Sequence, residues 1–273
     1  MKFAFMALLS ASFCANSIVI RHDVDDQKYR VPANTVPQLA TFYVDGAHGT
    51  LIDTQWILTA AHATFCVVPY AEVLINERRV PVEQVFVHKD YTPGISHDIA
   101  LVKLAEPVTD VKPFTINTQA DEEGRILWLI GIGGTGNGSA GQTIDSFANA
   151  GVLRRAQNQV ARADGPTMTF VFDQGPDALP LEGVSGGGDS GGPAYTFEGG
   201  QGTVYGISSR VKGGGIGRYG VQEIYSRISY FSEWIKQVID GRDTAAIADP
   251  RLKRLPGGLT RDVLPEVCED IGL

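Results

Sequence analysis

With 273 residues the chain is long enough for one large domain or two small ones around a substantial core. A formal net charge of −8, from 23 Lys and Arg against 31 Asp and Glu, gives no support for a nucleic-acid or acidic-lipid partner. The 32 glycines among many short apolar runs point to an all-β chain rich in turns, and past the N-terminus no apolar run is long enough to cross a membrane.

Met1-Lys2 followed by the apolar stretch Phe3–Phe13 is a basic start and a hydrophobic core of signal-peptide length. Ala15-Asn16-Ser17 supplies small residues at the two positions that signal peptidase reads, so a signal peptide is expected over residues 1–17. Phe13 is a poor residue before a lipidated cysteine, which argues against Cys14 as an anchor. The processed chain is expected to be secreted or periplasmic, with no stable membrane insertion. Short strands are predicted at Leu39–Val44, Gly49–Ile52, Gln55–Thr59, Val73–Ile75, Val80–Val87 and Ile99–Leu104, a spacing that suits a small barrel.

The polar, proline-bearing segment Ala105–Gly124 reads as a crossing to a second unit. Strand character returns at Arg125–Gly133, Gly151–Ala156, Met168–Phe172 and Val204–Ser209. Gly133–Gly141 is a glycine loop, and the lack of a following helix argues against a dinucleotide site. Ser229–Ile239 has helical periodicity with Phe231, Trp234, Ile235 and Val238 on one face. No His, Cys or Asp cluster shows metal-ligand spacing, so neither metal nor cofactor is expected.

Three stretches carry chemistry. Gly186-Gly187-Gly188-Asp189-Ser190-Gly191-Gly192-Pro193 sets a serine among glycines, which let a main chain bend sharply or approach a ligand closely. The plain alternative is a Gly/Ser turn between strands. Thr59-Ala60-Ala61-His62 follows an apolar run, and His97-Asp98-Ile99-Ala100-Leu101 begins another. The serine also satisfies the G-x-S-x-G elbow of α/β-hydrolases, but that fold needs a histidine after the serine. His22, His48, His62, His88 and His97 all precede Ser190, which excludes it.

Together, in the order His, Asp, Ser, these stretches resemble the trypsin/chymotrypsin family of serine proteases over about Ile18 to Ile239. The resemblance implies two six-stranded antiparallel β-barrels and a C-terminal helix. Its domain would cover 18–241, with the first barrel at about 18–115, the second at about 122–228 and the helix at 229–240. Residues 242–273 would be an extension. The low cysteine number fits a bacterial member. The implied activity is endopeptidase action on protein or peptide substrates, as a monomer, with His62, Asp98 and Ser190 as the triad and the amides of Gly188 and Ser190 as the oxyanion hole. The rival is a catalytically silent binding protein of the same fold; such proteins usually lose a triad residue, and all three remain.

In the family a new aliphatic N-terminus pairs with the aspartate beside the serine. Here those residues would be Ile18 and Asp189, with signal peptidase making the cut, although Ile20-Arg21 replaces the usual glycines. The bridge that commonly clasps the histidine loop is missing, since Ala63 and Ala47 stand at its positions. Cys66 and Cys268 remain after signal removal, either as a disulfide or as two free thiols. The substrate pocket would have Val184 at its base and Val211 and Glu223 on its walls. Ser209 lies on the strand that would bind substrate and would support Asp98. Val184 suggests aliphatic side chains and Glu223 basic ones, and Glu223 paired with Arg218 is the plain alternative.

Overall fold

The computed structural model describes residues 17–43, 46–242, 266 and 268. The predicted signal peptide, apart from Ser17, and most of the predicted extension lie outside the described residues. Six strands form the first barrel: β2 (Leu39–Tyr43), β3 (Gly46–Asp53), β4 (Trp56–Thr59), β5 (Glu72–Ile75), β6 (Arg78–Val87) and β7 (Ala100–Leu104), closed in the order β2-β3-β4-β7-β6-β5. They sit where the apolar runs predict strands. On β5 the alternation is plain, with Val73 and Ile75 buried and Glu72 and Leu74 exposed. Closure leaves this barrel without a free edge.

After β8 (Thr115–Ile116) the chain builds a second barrel from β9 (Ile126–Gly131), β12 (Arg154–Asp164), β13 (Thr167–Val171), β15 (Pro193–Glu198), β16 (Gln201–Lys212) and β17 (Gln222–Arg227). Its order is β15-β9-β12-β13-β17-β16, closed by pairing of β15 with β16, and β8 adds to β16 in parallel. The sequence predicts a strand only to Ala156, whereas β12 runs to Asp164. Its inward positions include Arg154 and Asn158, which break the apolar alternation. Asn158 Nδ2 donates to the carbonyls of Val171 and Gly183 at 3.0 and 3.1 Å, so an inward amide is accommodated.

The N-terminal strand β1 (Ile18–Ile20) departs from the expected first-barrel boundary. It pairs in parallel with β10 (Thr135–Asn137) and antiparallel with β14 (Gly183–Val184), and β11 (Gly141–Ile144) completes that small sheet. Residues 18–20 therefore belong with the loops of the second barrel. Ile18 and Val19 are wholly buried there, which accounts for their placement. The predicted glycine loop supplies β10 and β11 in part.

Helix α1 (Ile228–Ile239) buries Ile228, Phe231, Ile235 and Val238 on one face, with Trp234 partly buried beside them. This face joins a core cluster that also takes in the first barrel and Tyr195, Val204 and Ile207 of the second. Cys66, just past the histidine turn, is disulfide-bonded to Cys268, 202 residues away.

Candidate active site

His62 opens a short 3-10 turn after β4, and Asp98 lies two residues before β7, which is β4's antiparallel neighbour. The pairing Thr59↔Ala100 thus brings two distant stretches of sequence side by side. His62 donates its backbone N–H to Asp98 Oδ1 at 2.9 Å, and its Nδ1–H donates to Oδ2 at 2.7 Å. An ionised carboxylate only accepts, so this contact fixes the tautomer and leaves the Nε2 lone pair facing outward. Ser190 Oγ–H donates to Nε2 at 2.8 Å. The structure therefore brings all three together.

Asp98 is almost wholly buried, and its charge is well supported. Ser209 Oγ donates to Oδ2 at 2.7 Å, and Ser226 Oγ donates to the Asp98 carbonyl at 2.7 Å. Burial alone would raise the Asp98 pKa, but the His62 imidazole and the hydroxyl of Ser209 hold it below the ordinary value. Burial alone would likewise lower the His62 pKa, and the Asp98 carboxylate holds it above the ordinary imidazole value.

The serine loop is pinned to the first barrel through its carbonyls. Ala47 N–H donates to Gly188 O and His48 N–H donates to Ser190 O, both at 2.6 Å. Gly188 has φ +93°, a conformation that favours glycine. The N–H groups of Gly188 and Ser190 meet no protein acceptor among the described residues.

Behind the serine, the Asp189 carboxylate accepts from the N–H groups of Gly133 at 2.7 Å and Gly186 at 2.9 Å, and the nearby Ile18 backbone also favours its charged form. Gly131 makes room, since a Cβ there would meet Asp189 Oδ1 at 2.0 Å. Burial pushes the Asp189 carboxyl up to about 6, against the pull of these donors. His48, which the sequence assigns no role, lies with Nε2 at 3.8 Å from Asp189 Oδ1. Nε2 accepts from Ile132 N–H at 3.2 Å and burial pushes the imidazole down to about 4, so His48 is neutral and the contact is not an ion pair. The incoming chain is also tied down: Thr135 Oγ1 donates to the Ile18 carbonyl at 2.6 Å, and buried Ser17 donates through Oγ to Gly131 O.

A cavity of about 130 Å³ opens beside Ser190, lined by Ser185, Ser209, Val211, Ile216 and Glu223 among others. Val184 is not its base. It is wholly buried in an apolar cluster with Val19, Phe172 and Val221, because β14 turns it toward its partner Val19. The next residue, Ser185, reaches the cavity and shares a 2.5 Å hydrogen bond with Tyr225 Oη. Glu223 is buried with Oε1 lacking any hydrogen-bond partner, and burial, with a smaller contribution from the Asp189 charge, pushes its carboxyl up to about 8. The predicted alternative pairing with Arg218 does not form: Arg218 is exposed and donates to the carbonyl of Ser139 at 3.2 Å. Arg210 also lines the cavity and is absent from the sequence-based set, because its role follows from its place on β16 rather than from any motif. A larger apolar cavity of about 330 Å³, bordered by Val36, Phe42, Leu74 and Leu153, shares no lining residue with it.

His88, Asp90 and His97 bring ligand-type atoms within 4.8 Å of one another, a cluster invisible to sequence spacing. The fit to a metal is poor. His88 Nδ1 already accepts from the Asp90 N–H at 3.2 Å, and the Asp90 carboxylate takes Lys89 Nζ at 2.8 Å. The two imidazoles pack instead against Phe231, and His88 also against Trp234.

Comparison with known proteins matches residues 26–235 to the Trypsin family. Trypsin II-P29 of Gallus gallus is 26% identical over 266 residues, covering 88% of this chain and 99% of the relative. Chymotrypsin-like elastase family member 1 of Rattus norvegicus is 30% identical over 212 residues, covering 70% of this chain and 77% of that protein. Brachyurin of Leptuca pugilator is 26% identical over 223 residues, covering 74% and 93% respectively. With a double barrel and a family match across most of its length, the chain belongs to the trypsin family and is a serine-type endopeptidase.

Proposed function

We propose that the chain is a secreted or periplasmic endopeptidase that cleaves peptide bonds through an acyl-enzyme on Ser190. The observation that carries this reading is the unbroken run of hydrogen bonds from Asp98 through His62 to Ser190, at 2.7 and 2.8 Å. His62 Nε2 takes the Ser190 proton as Oγ attacks the scissile carbonyl, then returns it to the leaving amine; water repeats the sequence to free the acid. Asp98 holds the imidazole in the productive tautomer and stabilises its charged form. The Gly188 and Ser190 amides, with no competing acceptor, stabilise the oxyanion.

Activation follows cleavage after Ser17. The Ile18 backbone already favours the charged form of Asp189, so a cut there would set an ammonium beside that carboxylate. Ile18 also sits at φ +58°, an unfavourable conformation for a β-branched residue. That torsion is defined across the Ser17–Ile18 bond and disappears when the bond is cut, releasing on the order of 1–3 kcal/mol of strain.

The side chain before the scissile bond is basic on this reading. Glu223 offers an unpartnered carboxyl to the cavity, and Val184, the basis for an aliphatic preference, is turned away from it. A slowly deacylating ester substrate tests the acyl-enzyme by intact mass. The acyl mass is expected on the processed wild type and absent from Ser190→Ala; equal labelling of both would overturn the assignment.

A further inference from the structure

We propose that the outer end of β16 forms a cationic shelf that selects substrates with acidic side chains two to four residues before the scissile bond. This rests on the peptidase reading above. On one side β16 pairs with β17 as far as Lys212↔Gln222. On the other, its last partner is the serine loop: Ser208 N–H donates to Gly192 O, and Gly191 N–H donates to Ser208 O, both at 2.9 Å. From Ser209 onward that second edge has no strand beside it among the described residues. An extended peptide entering the cavity would add there as a further strand.

Two cations lie along this edge. Arg210 and Lys212 are two residues apart and share a face of the sheet, opposite Ile224 and Gln222. Arg210 borders both the Glu223 cavity and an adjoining depression of about 530 Å³, whose lining includes Arg162, Lys212, Val171 and Ile224. The depression, which extends from β16 over β17 and β13, thus has apolar residues and three cations in its lining. Its one carboxylate, Asp164, is exposed and already paired with Arg162 at 2.8 Å. In a chain whose formal charge is −8, such a concentration runs against the average surface.

Arg210 is also held in place. Its Nη2–H donates to the Ile95 carbonyl at 2.7 Å and its Nη1–H to Ser209 Oγ at 3.4 Å, two of the five N–H donors of a guanidinium. A planar fork fixed in advance loses little freedom on meeting a carboxylate. At roughly 3.4 Å per residue, the step from Arg210 to Lys212 spans about 7 Å, so the two cations serve substrate positions two residues apart, within the stretch two to four residues before the scissile bond.

The test is a paired peptide series with a randomised residue before the scissile bond and either Asp/Glu or Ser/Ala at the three positions preceding it. Processed wild type is expected to favour the acidic series in kcat/KM by about 5–10-fold at low salt, since exposed charge pairs each contribute modestly. The preference should shrink in about 1 M salt, where the Debye length falls to roughly 3 Å. It should approach one in Arg210→Gln/Lys212→Gln, and Lys212→Glu should lower it by itself. Equal cleavage of both series, or a preference unmoved by salt and by both variants, overturns the shelf and leaves the peptidase intact. Cleavage of neither series overturns the peptidase reading and the shelf with it.

Discussion

The Ile18 backbone acts on the buried Asp189 carboxylate, favouring its charged form, while the bond from Ser17 to Ile18 is intact. The two residues are 171 positions apart, counted from their numbers, yet β1 delivers one to the other by pairing with β10 and β14. On the proposed activation, cleavage after Ser17 would supply the positive charge to this socket. Asp189→Asn keeps the shape and removes the charge partner. It is expected to lower kcat/KM by about 10²–10³, following the roughly 3–5 kcal/mol lost when one member of a buried pair is removed. Near-UV circular dichroism should report a fold otherwise retained.

On the same proposal, that pair would set the alkaline side of the pH profile. A buried carboxylate raises the pKa of the new ammonium above its ordinary value of about 8. Its contribution is fully present below that value and is lost as pH rises through the raised pKa. Activity should fall reversibly in that alkaline window, and acetylation of the Ile18 amine should reproduce the fall at neutral pH.

His62 governs the acidic side. Its pKa in the fold is raised by Asp98, and only the neutral imidazole can accept the Ser190 proton. Activity should therefore decline as pH falls through a value above 6.5, the ordinary position for an imidazole. Asp98→Asn should lower turnover by about 10⁴, the loss typical of such triads. Ser209→Ala, which removes one hydrogen bond to Oδ2, is expected to raise the Asp98 pKa and to lower turnover by about tenfold or less, from the loss of a bond to a charged group.

Glu223 links specificity to stability. Burial pushes its carboxyl up to about 8 in the fold against an ordinary value of 4.5, so the folded protein holds a proton that the unfolded chain has lost. Between these values stability falls as pH rises, because the unfolded state binds fewer protons. Glu223→Gln should remove that slope and stabilise the fold at neutral pH by an amount on the order of 1–3 kcal/mol. It should also abolish hydrolysis after Lys and Arg. Unchanged Lys/Arg hydrolysis in the variant would contradict the basic preference.

Much of the fold was legible because the first-barrel strands are short apolar runs between marked turns, with β5 alternating cleanly. The motifs around His62, Asp98 and Ser190 were legible because they are local words in the chain. What was not legible was set by pairing. Val184 and Ser185 differ by one position, and only the register of β14 against β1 decides which reaches the cavity. Arg154 and Asn158 hid most of β12, since polar residues facing inward erase the period that marks a strand. Arg210 and His48 belong to no motif and acquire their positions from strands formed elsewhere.

Arg154 carries a further expectation. It is wholly buried and its Nε–H donates to Asp26 Oδ1 at 2.6 Å, while Asp26 also takes Arg30 Nε at 2.6 Å. This joins the segment after β1 to β12. Asp26→Asn would remove the carboxylate to which Arg154 Nε–H donates and should cost about 2–4 kcal/mol, less than a fully buried pair because Asp26 is partly exposed. A melting temperature lowered by roughly 5–15 °C is expected on calorimetry.

The most direct measurement is covalent labelling of the processed protein by a phosphonofluoridate probe, which reacts with a serine only when its hydroxyl is activated. Stoichiometric labelling at Ser190, lost in Ser190→Ala and strongly slowed in His62→Ala, is the expected result. A correctly folded protein beginning at Ile18 that takes no label at Ser190 would contradict the claim that Asp98, His62 and Ser190 work as one nucleophilic unit.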